Sequence, residues 1–244
     1  MGYYRNESSG GGQPGGLVHV SPSVRSGADT VQRMSIADDE RQGICDTLLA
    51  LGPDQPTLCV GWTTHDMIAH LVLRERRPDA AAGIVFRPFS GHTSNVMAQM
   101  AEQPYAELVA TFRGGPPLWS LFAIPVLGDR ANMFELYVHH EDVRRAQPDW
   151  QPRASDGTRE DAFWDGLTNP VGRMMFRRCS VGVVLRAAGR PDVVVKKGEP
   201  AVHVVGEPSE TALLAFGRPT NKTHVVVQGT PEDIAKFESS PRGL

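Results

Sequence analysis

The stretch that most constrains this chain is Ala131 to Ala146, ANMFELYVHHEDVRRA. Wound as a helix at about 100° per residue, it brings Glu135, His139 and Asp142 to one side, together with Leu136, Val138 and Val143. Side chains of the metal-ligand type therefore share the face that must turn toward a core. Burying a carboxylate or an imidazole costs several kcal/mol unless a partner compensates, and a metal ion is one such partner. Glu-x-x-x-His pairs also occur on ordinary solvated helices, so the pair alone leaves both readings open. A third ligand would have to come from another element.

Two other segments show how the first half is built. Ser35 and Asp38 have capping-box spacing ahead of a stripe of Ile44, Leu48 and Leu49, which Gly52-Pro53 ends. Thr63 and Asp66 repeat that spacing ahead of Met67, Ile68, Leu71 and Val72, predicting a second helix over about Thr64 to Arg76. After Pro78 comes a variable stretch, DAAAGIVFRPFSGH. Two further helical patterns follow, Thr93 to Glu102 and Pro104 to Phe112, with Pro104 in the first turn of the latter. The apolar segment LWSLFAIPVL then leads into the Ala131 helix, which should stop by Pro148. The first half is thus predicted to be a helical bundle.

Past Pro152 the pattern changes. A helical segment from about Thr158 to Arg178 carries Phe163, Trp164, Leu167 and Met175, and Asn169-Pro170 should kink or split it. Short Val-rich runs follow, VGVVLRAA, DVVVKK and AVHVVG, punctuated by Gly and Pro as in a meander. SETALLAFGR reads as a helix capped by Ser209 and ended by Gly217, THVVVQG as a strand, and PEDIAKFES as a last helix. The predicted organisation is a Gly/Ser-rich disordered extension over 1–33, a helical bundle over 34–150 and an α+β domain over 151–244. Met34 is a second position from which the functional chain could start.

Bulk properties narrow the function classes. Lys plus Arg is 25 against 28 for Asp plus Glu, a net charge of −3, and the basic residues are scattered, so nucleic acid is not indicated as a partner. No apolar run approaches the roughly 20 residues needed to cross a bilayer, so no membrane is expected either. Three cysteines with no close pair argue against a disulfide framework and for a reducing compartment, with the cytoplasm as default.

The third ligand is found on the second helix. His70 lies at the edge of that helix's apolar arc, about 60° from Met67 on the wheel, and can project into a core shared with the Ala131 helix. One carboxylate and two imidazoles suit Zn²⁺ with an open fourth position, although nickel, iron or manganese fit the same donors.

The Gly-Trp-x-x-x-Asp-x-x-x-His block at Gly61 to His70 and the Glu-x-x-x-His-His-x-Asp block at Glu135 to Asp142 resemble the metal-binding bundle of the mycothiol-dependent maleylpyruvate isomerases. These belong to the DinB-like superfamily, and HHEDVRRAQPDW is similar to an actinobacterial branch of uncharacterised metal-binding proteins within it. The resemblance covers Ser35 to Phe237. It implies a DinB-like helical bundle followed by a small α+β sterol-carrier-like domain, with a divalent metal, Zn²⁺ first, on His70, Glu135 and His139. It also implies mycothiol as the thiol cosubstrate, a small-molecule substrate, and either cis–trans isomerisation or S-transfer as the reaction. The competing expectation is a non-catalytic metal-binding protein whose C-terminal domain holds a small apolar ligand.

Other residues carry weaker expectations. His140 points about 100° away from His139 and is expected to face solvent or to support the site from outside. Asp142 should bond a ligand or pair with Arg145 or a neighbouring arginine. Asp66 is expected to be a cap, Trp62 a core anchor, Cys59 a buried thiol, and the Arg74 to Arg77 run a solvated helix end. His65, His92, His203 and His224 have no partner at ligand spacing and are read as ordinary residues.

Overall fold

Helix starts are where the side chains dictate the local structure most directly. Ser35 Oγ accepts the Asp38 N–H at 3.2 Å while the Asp38 carboxylate accepts the Ser35 N–H, and this box opens α1 (Ile36–Leu51). Thr63 and Asp66 form the same reciprocal pair at the start of α2 (Thr64–Arg76), so Asp66 is a cap as expected. The structure, a computed structural model, describes residues 35–85, 90–120, 123 and 125–243, without the side chains of 82–85, 90 and 125–131. The predicted disordered extension and Met34 lie outside the described residues.

Next come α3 (Pro78–Val85), α4 (Ser90–Met100), α5 (Tyr105–Arg113) and α6 (Pro125–Arg145). Helix α3 falls in the stretch read as variable. Its run of alanines presents no amphipathic stripe, although Pro78 is a good first-turn residue. Pro104 is the N-cap of α5, one position before the first turn. Helix α6 starts six residues ahead of the stretch singled out in the sequence, at Pro125 rather than Ala131.

Helix α6 is buried on two sides, which explains why its apolar residues do not form one narrow stripe. Leu136 and Val143 join a core built from α1, α2, α4 and α5, with Ile44, Leu48, Met67, Leu71, Leu108 and Phe112 at its centre. Met133, Phe134, Tyr137 and Val138 belong to a second core with Phe163, Trp164, Phe176, Leu185 and Phe237. Leu49, placed on the α1 stripe from its spacing, is instead exposed.

The second half begins with α7 (Gly157–Thr168) and α8 (Pro170–Met174). They are split as anticipated at Asn169, whose side chain accepts the Gly172 N–H at 2.9 Å. Strands β1 (Gly182–Arg186), β2 (Val193–Lys196), β3 (Ala201–Gly206) and β4 (Val225–Gln228) form a sheet of order β2-β1-β3-β4. The meander expectation is corrected here: β3 runs parallel beside β1, and β2 flips to the outer edge. Val-rich runs of similar length say where strands are but not which edges pair. Helices α9 (Pro208–Ala215) and α10 (Pro231–Ser239) complete the fold. Ser209 does not cap α9. It is buried, and its N–H and hydroxyl both donate to Glu160 of α7. The described chain is therefore helical with a small mixed four-stranded sheet in its second half.

Candidate metal centre

The three residues selected in the sequence come together from α2 and α6. One turn apart on α6, Glu135 Oε1 and His139 Nε2 are 3.1 Å from each other. From α2, His70 Nε2 reaches within 3.6 Å of the same Glu135 oxygen, and the two imidazole rings lie edge to face with centroids 5.1 Å apart. One ligand atom from each residue falls within 4.8 Å of the others. The histidines are buried, while the Glu135 side chain is 21% exposed, so solvent reaches the cluster on the carboxylate's side.

The decisive atom is His70 Nε2. It is buried without a hydrogen-bond partner, since 3.6 Å is too long for one. Among the described residues, two other buried side-chain nitrogens are alike in this, Arg153 Nη2 and His203 Nδ1. Arg153 has its other nitrogens on Glu40 and Glu141. Only His70 aims its free nitrogen at a carboxylate and a second imidazole. A buried lone pair facing two more ligand types is what a divalent cation would satisfy, and the donor set fits.

Electrostatics point the same way. Burial pushes the His70 imidazolium down, more than Glu135 can offset, so His70 is held neutral. Burial alone would raise the Glu135 carboxyl. Its contacts with His139 and His70 and the nearby Arg74 outweigh burial and hold it well below the usual carboxylate range. Burial likewise opposes charge on His139, but Asp142, Cys59 and Glu135 together raise that imidazole well above its ordinary value. A cation on His70, Glu135 and His139 would replace the proton that His139 shares with Glu135, because metal ligands bind deprotonated.

Cys59, His139 and Asp142 form a second group of ligand types, on the opposite edge of the His139 ring. Asp142 Oδ2 is 3.0 Å from His139 Nδ1 and accepts the Cys59 thiol at 3.4 Å. This group already holds a cation. Arg218 Nε donates to Asp142 Oδ1 at 2.8 Å and its Nη2 donates to Oδ2. On the His70 side the nearest guanidinium, Arg74, stands 3.7 Å from Glu135 and leaves His70 Nε2 without a partner.

The loop entering α2 closes over this edge. The Thr57 N–H donates to the Trp62 carbonyl, and the Trp62 N–H to the Cys59 carbonyl, across a turn in which Gly61 has φ of 80°, a conformation that favours glycine. The Leu58 N–H donates to the Asp142 carbonyl, fixing the loop on α6. Trp62 packs against the first core as expected, and its ring also lies 5.0 Å from that of His70, walling the site.

No family model matches the chain, and no curated protein matches it. Two solved structures are similar to it in fold: the mycothiol-dependent maleylpyruvate isomerase and a mutant of that enzyme. Each is 14% identical with a TM-score of 0.46, and each match covers 78% of this chain and 90% of the other.

Several expectations about neighbouring residues change. His140 is neither solvated nor beside the ligands. It is buried, with Nδ1 2.9 Å from Glu40 Oε2 and Nε2 2.9 Å from Thr47 Oγ1. Asp142 does bond a candidate ligand, His139, and its arginine is Arg218 rather than Arg145. The run from Arg74 to Arg77 is not a solvated end: Arg74 donates to Asn132 at 2.7 Å and lies 3.7 Å from Glu135, and Glu75 is a buried partner of Arg41. Arg76 donates to the Thr111 and Gly115 carbonyls, and Arg77 pairs with Asp79 at the surface. Cys59 is half-buried beside the site instead of fully enclosed. His65 and His92 bond Gln103 and Asp79, away from the cluster. The sequence reading did not select Arg218. It lies 76 positions from Asp142, and no local periodicity links the two.

Proposed function

We propose that this protein is a metal-dependent enzyme that activates a low-molecular-weight thiol such as mycothiol, for cis–trans isomerisation of a maleylpyruvate-like substrate or for S-transfer to an electrophile. The observation that carries the reading is the unpartnered, buried His70 Nε2 facing Glu135 and His139. His70, Glu135 and His139 would hold the metal, with Zn²⁺ the best match to two imidazoles and a carboxylate. A divalent cation supplies one thing here, a lowered thiol pKa, so that thiolate predominates at neutral pH.

The chain's own residues do the rest. Asp142 holds the proton on His139 Nδ1 and leaves Nε2 as the ligand atom. Trp62 and the Thr57–Trp62 turn keep bulk water off the His70 side, while partly exposed Glu135 marks the side from which a thiol and a small substrate enter. Arg74, beside Glu135, adds positive charge suited to an acidic substrate or cosubstrate. Three-residue ligation with an approach from solvent favours a working site over one that only holds the fold together. No helix among the described residues is long and apolar enough to cross a membrane. The three cysteines are free thiols, which together with a thiol cosubstrate fits the reducing cytoplasm.

Elemental analysis of the purified protein and of His70→Ala tests the site, and consumption of mycothiol with maleylpyruvate or a model electrophile tests the activity. Stoichiometric divalent metal in the wild type, lost in His70→Ala together with thiol-dependent turnover, is the expected result. Equal metal in both proteins would overturn the assignment.

A further inference from the structure

The site has a support that comes from the far end of the chain. Arg218 lies just beyond α9, yet its guanidinium grips the fully buried Asp142 with two nitrogens, Nε on Oδ1 at 2.8 Å and Nη2 on Oδ2. The third nitrogen, Nη1, donates to the Phe216 carbonyl at 2.7 Å. All three nitrogens are thus engaged within the protein, which leaves Arg218 no free fork for a ligand. Asp142 in turn bonds His139 Nδ1 at 3.0 Å, accepts the Cys59 thiol, and through its carbonyl anchors the Leu58 N–H.

We infer that Arg218 is a positioning residue for the metal centre, acting through Asp142 to set the tautomer and ring orientation of His139. The inference rests on the metal reading above. Its physical basis is that a carboxylate behind a ligating imidazole fixes which nitrogen faces the metal and raises that nitrogen's basicity. A carboxylate free to rotate does this poorly. A bidentate arginine fork removes the rotation, whereas a lysine, a point charge on a flexible stem, does not. The second half of the chain thereby contributes to a site whose ligands all lie in the first half.

The test is Zn²⁺ affinity, by competition with a chromophoric chelator, for the full chain and for Arg218→Lys, Asp142→Asn and the double variant. The visible spectrum of the Co²⁺-loaded proteins is recorded alongside. Loss of a support behind a ligating histidine weakens metal binding by about 10–100-fold. Asp142→Asn is expected in that range, Arg218→Lys toward its lower end, and the double variant no weaker than Asp142→Asn alone. The Co²⁺ bands of Arg218→Lys should shift toward those of Asp142→Asn, which a merely structural arginine would not cause. Arg218→Lys keeps a cation at the Asp142 carboxylate, and melting of the metal-free proteins checks that each variant is folded.

Unchanged Zn²⁺ affinity and an unshifted Co²⁺ spectrum in Arg218→Lys, or additive losses in the double variant, would overturn the inference while leaving the metal site standing. A wild type that takes up no Zn²⁺, or a His70→Ala protein that binds it unchanged, would overturn both.

Discussion

His139 and His140 are neighbours on one helix, both buried, and both bonded to a carboxylate, yet their surroundings differ in kind. Around His140 every acceptor has a donor: Glu40 takes the imidazole on one oxygen and Arg153 on the other, and Thr47 meets the second ring nitrogen. Around His139 the partners are Glu135 and Asp142, and a second imidazole, His70, arrives with its nitrogen unpaired. Burial and a carboxylate therefore do not distinguish a structural histidine from a ligand. The distinguishing feature is whether the cluster is complete without an added cation.

The largest expected effect separates the two sides outright. His139→Ala should purify with background levels of divalent metal, whereas His140→Ala should keep the full complement, as read by elemental analysis. Metal lost equally from both variants would erase the distinction. Next comes Glu40→Ala, which strips the part-buried Arg153 and the buried His140 of a shared, buried partner. Breaking a buried ion pair from one end costs about 3–5 kcal/mol, so urea unfolding should show a loss of that order with the metal content intact. A loss well under 1 kcal/mol would mean that the cluster is not structural. Smaller again is Gly43→Ala. A Cβ there would stand 2.8 Å from His140 Cε1, a ring held by bonds at both nitrogens and unable to yield, and overpacking of this kind costs about 1–3 kcal/mol. Wild-type stability in that variant would show that the His140 ring is mobile.

What was legible in the sequence divides along the same physical line. Local chemistry was readable: both capping boxes and the split at Asn169 follow from side chains bonding backbone three residues away, and the boundaries match. The candidate ligands could be picked out because a carboxylate and an imidazole four positions apart must share a helix face, and His70 stands at the edge of another such face. Partners that meet through tertiary packing were not readable. Arg218 and Glu40 are 76 and 100 positions from the residues they serve, and nothing in an arginine or glutamate on a surface-like pattern announces a buried partner. The pairing of β3 with β1 is hidden for the same reason, since strand order is settled by what the helices cover.

Acid gives the finest test, because it should act on both sides for different reasons. On the His139 side, protons would compete with a metal on the candidate ligands, so acid should release it. On the His140 side the group to follow is Glu40. Burial alone would raise its carboxyl, but the His140 bond and the Arg153 charge outweigh burial and leave it below its ordinary value of 4.5. A carboxylate with a folded-state pKa below its unfolded one stabilises the protein fully above the unfolded value, and that stability is lost as pH falls through the folded value. The advantage of wild type over Glu40→Gln should therefore be constant from neutral pH down to about 4.5 and shrink below it, in urea unfolding of chelator-treated protein where the metal no longer contributes. If the advantage instead grew with acid, Glu40 would be protonated in the fold, and the completeness that sets the His140 cluster apart from the His139 cluster would not hold.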